Sequence, residues 1–195
     1  MKWGVVVLVL SFVSPSPAWA AASNCRIDRA ESRLQFTAHM IFSIPITGRI
    51  ENFDGQLRLH EDEPQLSHAD ITIDTASINT DNPDTDDFIR SKPMLNSAEF
   101  PVATLTTKAF DPLNKANMQI SGELTINGVK REVLIPFTYS HRPSVDGTSD
   151  LVIAEGSFEF SRLAFNIGVE SWSNTTVFKD PIEIDIELLM ICPRS

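Results

Sequence analysis

A chain of 195 residues, 42% of them hydrophobic, is long enough to bury one good core and fits a single domain. Its formal net charge of −10 sets it against nucleic acid and anionic membranes as partners, because their phosphates would repel it. Two cysteines and four histidines leave little room for metal chemistry, and the histidines fall in no H-E-x-x-H or H-x-H spacing.

The chain opens with Lys2, the apolar run WGVVVLVLSFV, and SPSPAWA, which sets Ala18 and Ala20 in an A-x-A cleavage pattern. This predicts a secretory signal peptide over residues 1–20 and a mature domain over residues 21–195. No later apolar run reaches membrane-spanning length, so no integral segment is expected after cleavage. A lipoprotein signal ending at Cys25 fits less well: Ala22 and Asn24 stand where Leu and a small residue are usual.

Period-two segments follow. SRLQFTAHM puts Leu34, Phe36, Ala38 and Met40 on one face. ITGRIENFDGQLRLH carries Ile46, Gly48 and Ile50 in one register and Leu57 and Leu59 in the other. A bulge or bend over Asn52 to Gly55 would reconcile the two and let one strand wrap two sides of a barrel. HADITIDTA aligns Ala69, Ile71 and Ile73. DNPDTDDFIRSKP then breaks the pattern: Pro83 suits a helix start, Asp84, Asp86 and Asp87 suit its positive end, and Pro93 stops it. A short helix is expected around Asp84 to Ser91.

The alternation resumes in VATLTTKAF, with Ala103, Leu105 and Ala109 on one face, and in NMQISGELTI, with Met118, Ile120, Leu124 and Ile126. Asn127-Gly128 separates the latter from VKREVLIPFTY and predicts a type I′ hairpin, with Val129, Val133, Ile135 and Phe137 facing one way. LVIAEGSFEFS aligns Val152, Ala154, Phe158 and Phe160, an irregular stretch carries Trp172, and PIEIDIELLMIC keeps strict alternation to Cys192.

About eight strands and one short helix, each strand apolar on one face, predict an all-β fold: an antiparallel sheet curled into a barrel, or two stacked sheets. Cys25 and Cys192 flank nearly the whole mature domain, and in an exported protein such a pair is expected to be oxidised. The bond would close a very long loop, worth about 5 kcal/mol in the chain-entropy model. It requires the two ends to be neighbours, which favours the closed barrel. Two free thiols are the alternative.

An eight-stranded barrel either fills itself with side chains or holds one small ligand. Small inward residues, namely Ala38, Gly48, Ala69, Ala103, Gly122, Ala154 and Gly156, leave volume unless large neighbours fill it. Catalytic patterns are missing: no G-x-S-x-G elbow is present, and His39, Glu155 and Glu159 sit in outward registers. DNPDTDD lacks the oxygen spacing, Gly and terminal Glu of a calcium loop. Asn174-Thr175-Thr176 is a formal glycosylation sequon that matters only in a eukaryotic host.

SRLQFTAHM, GRIENFDGQL, ITIDTASINT, EFPVATL, and LTINGVKREV followed by FSRLAFNIG together resemble the YceI-like family of exported lipid-binding proteins. The resemblance implies an eight-stranded lipocalin-like barrel with a helical insertion and an elongated apolar cavity holding a polyisoprenoid or quinone-like chain. It also implies a periplasmic or secreted location, no catalytic residues, and no cofactor beyond the bound lipid. The departures are FTAHMIFSIP after the first strand's Phe, the prolines and Met94 of the insertion, and the cysteine pair.

On this reading the protein is a periplasmic carrier, and the cavity wall is Phe36, Ala38, Ile50, Ile71, Ile73, Leu105, Ile120, Leu124, Ile135, Phe137, Phe158, Phe160, Ile184, Ile186 and Leu188. Two other readings stand beside it: a filled barrel acting as an interaction module for another envelope protein, and an enzyme on an apolar substrate with His39 or an acid at the rim. A homodimer is left open.

Overall fold

Alternating side chains give each strand one face for a core and one for water, and the chain satisfies them by closing on itself. The computed structural model describes residues 23–60, 63–114 and 117–194. The expected signal peptide, residues 1–20, lies outside the described residues. Among the described residues, eleven strand segments and one α-helix follow in order. They are β1 (Ser23–Ile27), β2 (Arg33–His39), β3 (Pro45–Ile50), β4 (Phe53–Leu59), β5 (His68–Asp74), β6 (Ile78–Asn79), α1 (Pro83–Arg90), β7 (Val102–Pro112), β8 (Asn117–Ile126), β9 (Val129–Pro143), β10 (Ser149–Ser161) and β11 (Pro181–Pro193).

Six of these segments join end to end. β1 and β2 lie one after the other along β11, β3 and β4 lie opposite them, and β5 and β6 lie opposite β4 and β3. The result is eight antiparallel staves in a closed ring, with the first and last strands paired through Arg26↔Ile191 and Ile27↔Met190. The closure excludes two stacked sheets. Cys25 and Cys192, 167 residues apart, are joined by a disulfide across this seam. Cys25 is therefore bonded rather than acylated, and neither cysteine is a free thiol.

The three bent staves break at one level of the barrel, and serines stitch the breaks. Ser32 Oγ accepts from Leu189 N at 2.9 Å. Ser77 Oγ accepts from Asn52 N at 2.9 Å and donates to Asp74 O at 2.7 Å. The break between β3 and β4 falls at Glu51–Asn52, at the start of the expected bend, and it moves the inward register from Ile50 to Phe53. Buried backbone groups that leave a ladder need such partners.

Two local readings differ from expectation by small, physical amounts. The helix spans Pro83–Arg90 instead of Asp84–Ser91, because Asn82 caps it by accepting from Thr85 N at 3.1 Å and Pro83 takes the first position. In β7, Ala109 does not share the inward face of Ala103 and Leu105. Lys108 is an extra residue: Thr107 pairs with Gly122 and Ala109 with Ser121, so Phe110, opposite Ile120, points inward instead. The hairpin at Asn127-Gly128 has φ of 53° and 72°, the left-handed pair that a type I′ turn requires.

The core divides into three clusters instead of one solid mass. One lies around Leu57, Phe110, Val152 and Met190, one around Phe36, Met94 and Phe178, and one around Leu124, Ile126 and Phe165.

Candidate ligand-binding cavity

Between these clusters the barrel is hollow. An inner chamber, so called because it lies on the α1 side of the barrel, has a volume of about 200 Å³ and is lined by Leu34, Phe36 and Ala38 of β2, Ile50 of β3, Ile73 of β5, Leu124 and Ile126 of β8, Phe158 and Phe160 of β10, and Ile182 to Leu188 on alternate positions of β11. An outer chamber of about 320 Å³, at the other end, is lined by Leu57, Leu59, Ala69, Phe110, Ile120, Ile135, Phe137, Val152, Ala154 and Met190. Ile71, Leu105, Ile186 and Leu188 border both and form a waist between them. Together the chambers fall in the range of small-molecule sites, about 300–1,000 Å³.

The two chambers differ in chemistry. The inner chamber is lined by apolar side chains apart from Thr75 and Thr85, and these present no polar atom to it. The outer chamber adds Gln56, His60, Ser67, Thr107, Tyr139 and His141. Ser67 is tied down, accepting from His60 N at 2.9 Å, and Thr107 Oγ1 accepts from Ala69 N at 2.7 Å. Phe110 and Phe137 meet edge to face at 6.2 Å across this end.

All fifteen side chains expected on the wall border one chamber or the other. The small residues divide. Ala38 and Ala103 border the inner chamber, and Ala69, Ala154 and Gly156 the outer. Gly48 and Gly122 open no volume. A Cβ on Gly48 would lie 2.5 Å from the ring of Phe36, its cross-strand partner, so that ring already occupies the space. A Cβ on Gly122 would lie 2.9 Å from the Thr106 carbonyl.

Sequence periodicity did not reveal the residues that close the inner chamber. Phe88 and Ile89 come from α1, Met94 and Leu95 from the turn after it, and Ile167 and Phe178 from the irregular segment before β11. That segment is organised by Arg162, which is fully buried. Its Nε donates to Lys179 O at 3.0 Å, Nη1 to Ile167 O at 2.9 Å and Gly168 O at 3.0 Å, and Nη2 to Trp172 O at 2.8 Å and Phe178 O at 2.7 Å. All five N–H donors of the guanidinium have carbonyl acceptors. The guanidinium also lies 4.1 Å from the centre of the Phe178 ring. Burial lowers the Arg162 pKa, and the Asp180 charge acts against that shift.

α1 is anchored from its acidic end. Asp86 accepts from Thr80 N at 2.8 Å and Thr80 Oγ1 at 2.6 Å, and the Thr80 bond holds its carboxyl below the usual aspartate value despite burial. At the other flank Phe88 meets Trp172 edge to face at 4.9 Å, joining helix and irregular segment over the chamber.

Comparison with known proteins agrees with this geometry. The YceI-like domain matches residues 26–190. The chain belongs to the YceI-like family. Among its YceI-like relatives, a UPF0312 protein of Shewanella baltica is 28% identical over 123 residues, covering 62% of this chain and 64% of that protein. Protein YceI of Escherichia coli is 29% identical over 138 residues, covering 69% of this chain and 71% of its own length. The chain thus spans somewhat under two thirds of the Shewanella relative. Among solved structures, BcnA of Burkholderia cenocepacia superposes with a TM-score of 0.77 at 24% identity, covering 84% of this chain and 98% of that one. A polyisoprenoid binding domain from Saccharophagus degradans superposes at 0.65 with 19% identity, covering 87% and 98%. At such identities the likeness is one of fold: a closed eight-stranded YceI barrel with one short helix.

Proposed function

We propose that this YceI-like protein is a periplasmic carrier that binds an isoprenoid lipid or quinone-like chain in its two chambers. The observation that carries the proposal is the inner chamber, whose accessible surface is apolar, joined through an apolar waist to a second chamber. Walls of Ile, Leu, Val and Phe exclude water and match shape, and they perform no bond-making step. The reading is therefore one of binding, not catalysis. Each buried methylene contributes about 0.8 kcal/mol. Immobilising the ligand costs several kcal/mol, so a chain of roughly twenty carbons is needed for micromolar affinity. The polar groups of the outer chamber suit a neutral, hydrogen-bonding head such as a quinone carbonyl. An exported location is supported by the expected leader and by the disulfide, a bond that persists in oxidising compartments.

Mass spectrometry of an organic extract of the natively purified protein tests the proposal. A stoichiometric isoprenoid is expected from the parent protein. Ala38→Trp, which fills the inner chamber, and Ala154→Trp, which fills the outer, are each expected to lower the yield about tenfold or more while circular dichroism stays that of the barrel. A parent protein free of lipid, or folded variants that keep it, would overturn the reading. The filled-barrel alternative loses its premise, since two chambers remain open inside.

A further inference from the structure

The hairpin between β2 and β3 ends in Met40-Ile41-Phe42-Ser43-Ile44-Pro45, and its apolar side chains point both ways. Met40 and, beyond the tip, Ile46 turn inward and border the inner chamber. Ile41, Phe42 and Ile44 turn outward and are 40%, 89% and 58% exposed. Phe42 holds φ 59° and ψ 20°, a left-handed conformation that an aromatic residue adopts only when its surroundings impose it. The surroundings are firm. Met40 N donates to Ile44 O at 2.9 Å, Met40 bridges Phe178, and Lys179 N donates to His39 O at 2.9 Å. The fold thus holds an almost fully exposed phenyl ring in a strained position beside the chamber.

Charge sets the same region apart. In a chain with 26 acidic residues, residues 32–50 contain none, and neither do residues 171–179 of the segment bridged to the tip. Val177, beside the bridge, is also exposed. An acid-free apolar prong on an otherwise acidic protein is complementary to a surface that is hydrocarbon under phosphate headgroups. Its four exposed apolar side chains, Ile41, Phe42, Ile44 and Val177, are far fewer than the roughly 20–30 residues a side of a stable protein interface. A bilayer needs no matching shape.

We infer that the β2–β3 hairpin tip, led by Phe42 and Ile44, inserts into a zwitterionic lipid bilayer and sets the inner chamber against the hydrocarbon from which its ligand is drawn. This rests on the lipid-carrier reading and adds its partner, a membrane surface. The net charge of −10 and the exposed Asp84 and Asp87 of α1 select against strongly anionic lipid.

Phosphatidylcholine vesicles are the probe. The mature protein is expected to co-float with them, in low and high salt alike. Phe42→Ser with Ile44→Ser is expected to lose about tenfold or more of that partition. Leu113→Ser with Val145→Ser removes apolar side chains exposed elsewhere and is expected to leave it unchanged. In a separate variant, Phe42→Trp with Trp172→Phe, the only change at the tip is aromatic for aromatic and the residue at 42 is the sole tryptophan of the mature domain; its emission is expected to shift to the blue with vesicles and to be quenched by brominated lipid. Absence of both effects, or a blue shift that grows with protein concentration when no vesicles are present, overturns the inference. Extracted lipid separates the two failures. A protein that carries lipid but shows no tryptophan response refutes only the docking, and a protein without lipid refutes the carrier reading itself.

Discussion

Arg162 shows how much of the site rests on one side chain. Its five hydrogen bonds fix the backbone from Ile167 to Lys179, and that backbone supplies Ile167 and Phe178 to the inner chamber. Replacing it with Met keeps the bulk and orphans five carbonyls. Hydrogen bonds to charged groups are worth more than neutral ones, and breaking such a buried set costs about 3–5 kcal/mol. Urea denaturation of Arg162→Met is expected to show that loss. Arg162→Lys is expected to restore little of it, because an ammonium has three donors at one point instead of a planar fork. A Cβ on Gly168 would lie 2.7 Å from the Arg162 Nη1, which ties that glycine to the same network. None of this is legible in FSRLAFNIG. The acceptors are main-chain carbonyls, which carry no side-chain signature, and an arginine after a strand reads as a surface residue. The fifteen wall positions were legible for the opposite reason: a strand's parity alone decides which way a side chain points.

At the scale of elements, parity is also where sequence reading stops. One inserted residue, Lys108, reverses the sense of β7, and Ala109 gives way to Phe110 on the inner face. A bend over Asn52 to Gly55 was legible because two apolar registers on either side of it disagree, and the break falls at its near edge, Glu51–Asn52. The bulge was not, because Ala109 and Phe110 both suit an interior. α1 was foreseen as a helix, yet its place as the cover of the inner chamber depends on Asp86 and Thr80, which only the fold brings together. The Thr80 bond depresses the Asp86 pKa, so Asp86 contributes fully above the ordinary aspartate value of 3.8 and its contribution fades as pH falls through the lower folded value. Hydrogen exchange below about pH 4 is expected to show α1 amides losing protection before those of β8 to β11. Asp86→Asn, already uncharged, is expected to abolish that pH dependence. Identical profiles in the two proteins would contradict the assignment.

For the molecule as a whole, the closing seam falls on β11. β11 pairs with β10 along its entire length, whereas β1 meets β11 at two residue pairs. The Cys25–Cys192 bond reinforces this two-pair contact, which β2 continues along β11 over five more pairs. Replacing both cysteines with Ser is expected to cost about 2–5 kcal/mol in guanidinium unfolding. The m-value is expected to rise, because an unfolded chain freed of its cross-link exposes more surface. The barrel itself is expected to form without the bond, since the other seven seams do not depend on it. The cysteines pointed to this arrangement from the sequence: in a chain expected to be exported such a pair is expected to bond, and a bond between them requires the two ends to meet.

The same bond turns the stretch from Cys25 to Cys192 into a covalent circle. A protease that clips an exposed connection, such as the turn at Asp146-Gly147, opens the circle without releasing either half. The cut molecule would stay in one piece until a reductant reached the sulfurs, and a lipid between its walls would travel with it.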